Sequence, residues 1–162
     1  MGRSDIHLTI NRSLRDVFDI YAQPDPFRWS DMRKVQWSSG KPWEVESRMR
    51  IEPNDSLGIV IDQVLTHFEP YKRVDFITHF AGVTMTTQTN FRALADTETQ
   101  LDSQIEFVGT FSRIAGFALG AAIESGARRF FSQLKAECDR QADSAHRVTP
   151  EQVTPAENRS AE

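Results

Sequence analysis

A chain of 162 residues with 39% hydrophobic and 26% charged side chains has the size and composition of one globular domain, which excludes a wholly disordered polypeptide. The single cysteine, Cys138, excludes an internal disulfide framework and a cysteine-rich zinc site. A formal net charge of −4 offers no whole-protein attraction for nucleic acid or anionic lipid.

Met1-Gly2-Arg3-Ser4-Asp5-Ile6 lacks the apolar stretch of a signal peptide. No apolar run approaches the roughly 20 residues needed to span a bilayer. The expectation is a cytoplasmic protein without stable membrane insertion. Asn11-Arg12-Ser13 and Asn158-Arg159-Ser160 match the glycosylation sequon, and with a cytoplasmic location expected both are read as chance matches.

Residues 4–10 alternate, with Ile6, Leu8 and Ile10 against Asp5, His7 and Thr9, the pattern of a half-buried strand. Asn11 or Ser13 then caps a helix through about Tyr21, with Val17, Phe18 and Tyr21 at helical spacing. Pro24 and Pro26 interrupt it, and 25–29 is expected to add a second short helix. From Arg33 to Gly109 the period is two. Val35 and Trp37 lie in a strand ending at Ser38-Ser39-Gly40, and the next is expected from Trp43 to about Glu52. There Trp43, Val45, Ser47, Met49 and Ile51 oppose Glu44, Glu46, Arg48, Arg50 and Glu52, the mark of an antiparallel sheet with one wet face. Further strands follow at about 58–68, 72–81, 83–94 and 98–108. Their short connections predict a meander.

After Gly109 the period becomes helical. Leu119, Ile123, Ala127, Phe130, Leu134 and Cys138 form one stripe of a helix from Ser112 or Gly116 to about Gln141. Glu124 and Arg128 add an i, i+4 pair. The helix is expected to cover the sheet. From Ser144 the sequence turns polar, so residues 1–143 are read as the domain and 144–162 as a disordered tail.

A strand, two short helices, a strand meander and one long helix, in that order, resemble the helix-grip fold of the START-like, polyketide cyclase/dehydrase and pollen-allergen superfamily (SRPBCC). Asp16-Val17-Phe18 resembles the family's first helix, and Trp29 the tryptophan closing its second. Phe68-Glu69-Pro70 with Arg73 resembles a central turn, and Phe131, Leu134 and Lys135 the end of the last helix. The resemblance covers residues 4 to about 141. It implies an α+β fold in which a curved antiparallel sheet of six or seven strands wraps around the C-terminal helix. It also implies an apolar cavity for lipids, sterols, polyketides or similar molecules, with a minority of members acting as cyclases, aromatases or dehydratases. Gly116, Gly120, Ala121, Ala122 and Gly126 make the first half of this helix unusually small. They either leave space facing the sheet or let helix and sheet approach closely. An empty pocket of ~300 Å³ would forfeit on the order of 7 kcal/mol, a typical domain's whole stability, so such a pocket should be filled.

With the charged faces outward, the inward set includes Trp37, Ser47, Met49, Phe76, Thr78 and Met85, and further along the chain Thr87, Thr89, Phe91, Ser103, Ile105 and Phe107. This is an apolar lining punctuated by hydroxyls, suited to a hydrophobic ligand with a few polar groups. The alternative is that the hydroxyls simply bond to neighbouring strands. Strand 58–68 admits two phases, Ile59, Ile61 and Leu65 opposing Val60, Val64 and Phe68. The first turns Gln63 and His67 inward and makes His67 the candidate for proton transfer. His67 and His79 lie on adjacent strands but lack a third ligand, so no metal is assigned. Asp75 and His79 share an outer face, and Cys138 is expected to be a buried, inert thiol.

These readings predict a binding protein for a hydrophobic small molecule of lipid, polyketide or aromatic type, needing no cofactor, as a monomer or homodimer. The alternatives are a cyclase or dehydratase using the same cavity with His67 and nearby hydroxyls as acid–base groups, and an interaction module whose outer sheet or helix binds a protein.

Overall fold

Alternation of apolar and polar side chains from Gly2 to Val108 produces a curved, seven-stranded antiparallel sheet, and the helical period that follows produces one long helix. The computed structural model describes residues 2–54, 60–80, 83–108 and 112–147, with side chains for 3–54, 60–79, 84–108 and 123–144. The strands are β1 (Gly2–Ile10), β2 (Lys34–Ser39), β3 (Arg48–Glu52), β4 (Ile61–Glu69), β5 (Arg73–Phe80), β6 (Val83–Ala95) and β7 (Glu98–Val108). Their order β1-β7-β6-β5-β4-β3-β2 is the expected meander, with β1 returning beside β7.

Helix α1 (Leu14–Tyr21) starts where Ser13 Oγ accepts from the Asp16 amide at 3.1 Å. It buries Val17, Phe18, Ile20 and Tyr21 on one face. The second short helix expected at 25–29 is absent: Phe27 has φ 55° and its carbonyl accepts from the Ser30 amide, closing a turn. A left-handed residue directly after Pro24 and Pro26 cannot continue a right-handed helix.

A second correction concerns residues 43–47, expected to begin a strand. Gly40, Trp43 and Glu46 all have positive φ, and the Glu44 and Ser47 amides donate to the Lys41 and Glu44 carbonyls. Successive turns replace extended chain, so Val45 is exposed while Trp43 is folded back over the sheet. Gly40 is required twice, by its φ of 78° and because the Ser47 side chain occupies the space a Cβ would take.

Helix α2 (Ser112–Arg147) crosses the sheet against β1 and touches α1. It runs past the expected end near Gln141 and through Ser144, where a tail was anticipated. Phe131, Leu134 and Cys138 are buried, and Ile123, Ala127 and Phe130 are packed beside them. This is the predicted stripe, Leu119 lying outside the described side chains. The Arg128 guanidinium donates to Glu124 at 2.7 Å, as the spacing predicts, and holds that carboxyl below the usual range. Phe18, Tyr21, Phe27, Phe91 and Phe130 join in edge-to-face pairs where α1, β6 and α2 converge. Each such buried side chain contributes about 1.5–3 kcal/mol.

Candidate ligand-binding site

Residues directly opposite one another in antiparallel strands share a face, so the pairing assigns every inner side chain to a cross-strand row. The row nearest α1 is Leu8, Leu101, Phe91. The next is Ile6, Ser103, Thr89, Val74, Phe68. Then come Ser4, Ile105, Thr87, Phe76 and Leu65, which Ser47 extends through backbone bonds to Leu65. The far row is Phe107, Met85, Thr78, Gln63, Met49, Trp37. Eleven of the twelve expected lining residues therefore do share the inner side of the molecule: Trp37, Ser47, Met49, Gln63, Phe76 and Thr78, together with Met85, Thr87, Thr89, Ser103 and Phe107.

The twelfth, His67, is corrected. The β4–β5 register slips between Leu65 and His67, so Thr66 is an extra residue. Ile61, Gln63 and Leu65 face inward, then Phe68 does, while Thr66 and His67 are both exposed outside. Each of the two candidate phases is thus right for part of the strand. His67 stands opposite Asp75 on the outer face and cannot reach a molecule held beneath α2. His79 is also outside, bonded to Thr84 at 3.1 Å and four register positions from His67, about 13 Å along the strand. Among the described residues no group of His, Cys, Asp or Glu could hold a metal ion. Asp75 pairs with Arg73 at 2.5 Å rather than with His79.

The inner hydroxyls differ from row to row. Thr89 and Ser103 are 3.2 Å apart, and Thr89 also meets the Tyr21 hydroxyl, whose pKa burial drives upward. Ser47 donates to the Lys41 carbonyl at 2.7 Å, and Thr99 to the Arg12 carbonyl at 2.8 Å. These are structural bonds, as the alternative reading held. In the far row, however, Thr78 is 5% exposed and its Oγ1 has no partner, and neither does the buried Nε1 of Trp37. Ser4 Oγ lies against the Glu124 carboxylate and helps Arg128 hold its pKa down, although it makes no hydrogen bond of good geometry there. The other two indoles are satisfied, Trp29 by the Ile20 carbonyl at 3.1 Å and Trp43 by that of Gln23 at 2.7 Å. Sequence reasoning placed Trp37 and Thr78 on the correct face but had no signal separating them from Thr89 and Ser103. That distinction depends on which neighbours each polar atom meets.

No inner-face residue of the sheet among those described is ionisable. Cys138, at the helix, is fully buried, and burial pushes its thiol up to about 12. The helix positions 116–122, on which the space beneath α2 depends, lie outside the described side chains, and Gly126 is exposed, so the open space a Cβ would meet there is on the solvent side. Two open clefts occur elsewhere. One of about 310 Å³ lies between Arg28, Trp29 and the last turns of α2 at Glu137 and Arg140. Another of about 280 Å³ lies on the outer face over Asp75, Thr86, Gln88 and Gln104.

No protein-family model matches the sequence, and no curated protein does. Solved structures match its shape. Protein MLL2253 from Mesorhizobium loti superposes with a TM-score of 0.66 at 18% identity, over 85% of this chain and 97% of that one. Ara h 8.0201 gives 0.70 at 7% identity, over 84% and 96%. The di-domain ARO/CYC BexL from the BE-7585A biosynthetic pathway gives 0.68 at 13% identity, over 84% of this chain and 46% of BexL, so this chain spans about half of it. The chain shares the fold of these structures, a helix-grip arrangement of curved antiparallel sheet and C-terminal helix. Among the described residues no helix is long and apolar enough to cross a membrane.

Proposed function

We propose that this protein binds a hydrophobic small molecule between the far part of the inner sheet face and helix α2. The carrying observation is the pair of buried polar atoms without partners, Thr78 Oγ1 and Trp37 Nε1, in a row whose other members are Phe107, Met85, Gln63 and Met49. A buried polar group left unsatisfied costs about 1–3 kcal/mol, and such groups in native proteins accompany function or a missing partner. A ligand supplies that partner. Ara h 8.0201 and the ARO/CYC BexL share the fold, which supports a reading in which this scaffold is used around a bound molecule. A cyclase or dehydratase needs an acid or base at the ligand. His67 is on the outer face, and the carboxylate that α2 brings to the inner face, Glu124 beside Ser4, is engaged by Arg128 at 2.7 Å, so the binding reading is the one the geometry supports better.

Thermal unfolding across a panel of hydrophobic ligands tests the proposal, with native mass spectrometry for co-purifying material. A ligand at a hundredfold excess over Kd should add about 2.7 kcal/mol and raise Tm by roughly 5–10 °C. A panel of lipids, sterols and aromatic ketones that leaves Tm unmoved, with a clean protein mass, sinks it.

A further inference from the structure

The far row places three polar side chains among apolar ones at defined spacings. Trp37 on β2, Gln63 on β4 and Thr78 on β5 lie in one line across the sheet. Trp37 and Thr78 are three strand spacings apart, about 14 Å between Cα atoms. The Trp37 ring meets Trp43 edge-on at 5.3 Å, and Trp43 in turn lies 5.6 Å from Phe68 and 6.4 Å from Phe76, so the indole leans inward over the sheet. Taking the Cα spacing as the upper bound and both side chains as rising from the same face, we place the two unpartnered atoms on the order of 10 Å apart. An indole N–H only donates; a threonine hydroxyl donates and accepts. No side chain of the described inner sheet face is charged, and Glu124, which α2 places beside Ser4 on β1, is paired with Arg128 and lies three strands from Thr78. Neither a carboxylate nor an ammonium therefore finds a free counter-charge in the far row, where burying an unpaired charge is far more costly than burying a ketone.

Resting on the binding reading above, we infer that the ligand is uncharged and elongated, with two oxygen functions roughly 10 Å apart. One is a carbonyl-type acceptor for the Trp37 N–H, the other a carbonyl or hydroxyl for Thr78. Trp37 and Thr78 are then the specificity-determining residues, with the apolar body lying over Met49 and Met85, and Gln63 between the two ends. Each hydrogen bond to an otherwise orphaned group discriminates strongly, because the analogue lacking the oxygen leaves the protein atom unpaired.

Three probes of matched length test this: 2,11-dodecanedione, 2-dodecanone and dodecanoate, titrated calorimetrically into the wild-type protein and into Trp37→Phe and Thr78→Val. Thr78→Val keeps the shape and Trp37→Phe keeps a smaller aromatic ring while each removes the polar atom, and thermal unfolding checks that each variant is folded. The diketone is expected to bind about tenfold tighter than the monoketone, one hydrogen bond's worth, and the carboxylate weakest. Each substitution should remove about tenfold from diketone binding. In a ¹⁵N-labelled sample the Trp37 indole resonance should move on adding diketone while those of Trp29 and Trp43, already bonded to carbonyls, stay. Equal affinity for all three probes, tightest binding of the carboxylate, or diketone binding unchanged in both variants overturns the two-oxygen inference while the binding reading stands. Failure of every probe to bind overturns both.

Discussion

The two ends of the inner face are made from the same residue types and reach opposite states. Near α1, Thr89, Ser103 and Tyr21 satisfy one another and are sealed by Phe18, Phe27, Phe91 and Phe130. At the far end Thr78 and Trp37 are just as withdrawn from water at their polar atoms but have no partner. Local composition does not separate the two. Geometry does: Thr89 faces Ser103 directly across β6 and β7, whereas Thr78 faces Gln63 on one side and Met85 on the other, and makes a bond with neither. The α1 end is built for stability and the far end gives some stability up, which is the pattern expected where a ligand completes the core.

Truncating the α1 end should have the largest effect. Leu134 is fully buried between α2 and the sheet, so Leu134→Ala should lose about 2–5 kcal/mol in denaturant unfolding. A loss below 1 kcal/mol would mean that this end is not the packed one.

A matched pair of isosteric changes sharpens the contrast. Thr89→Val leaves the Ser103 hydroxyl buried and unpaired and should destabilise by about 1–3 kcal/mol. Thr78→Val removes an orphan and should leave the ligand-free protein equally stable or up to about 1 kcal/mol more so. If both variants lose the same stability, the distinction between the rows is wrong.

The smallest expected effect is chemical. With its thiol pushed up to about 12 by burial, Cys138 should react with a thiol reagent at pH 8 at least a hundredfold more slowly in the native protein than in denaturant. Rapid native labelling would show that the α2 end opens more readily than its packing implies.

Alternation of side chains encoded most of the strands, and the switch to a helical period encoded α2, because both are short-range regularities that any pairing partner must respect. For the same reason the Glu124–Arg128 pair and the buried stripe through Leu134 and Cys138 were legible before any tertiary contact was considered. His67 was not. Its direction is set by one extra residue, Thr66, in the pairing of β4 with β5, and a bulge reverses the parity of everything after it without leaving a mark in the alternation. Nor was the 40–47 loop, where three left-handed residues turn an alternating run into turns and carry Trp43 over the sheet. Sequence by itself determined the order of elements and which face of most strands is apolar. Only the tertiary structure decided which of the buried polar atoms are satisfied, because a hydrogen bond needs a particular neighbour at a particular distance, and those neighbours come from strands remote in the chain.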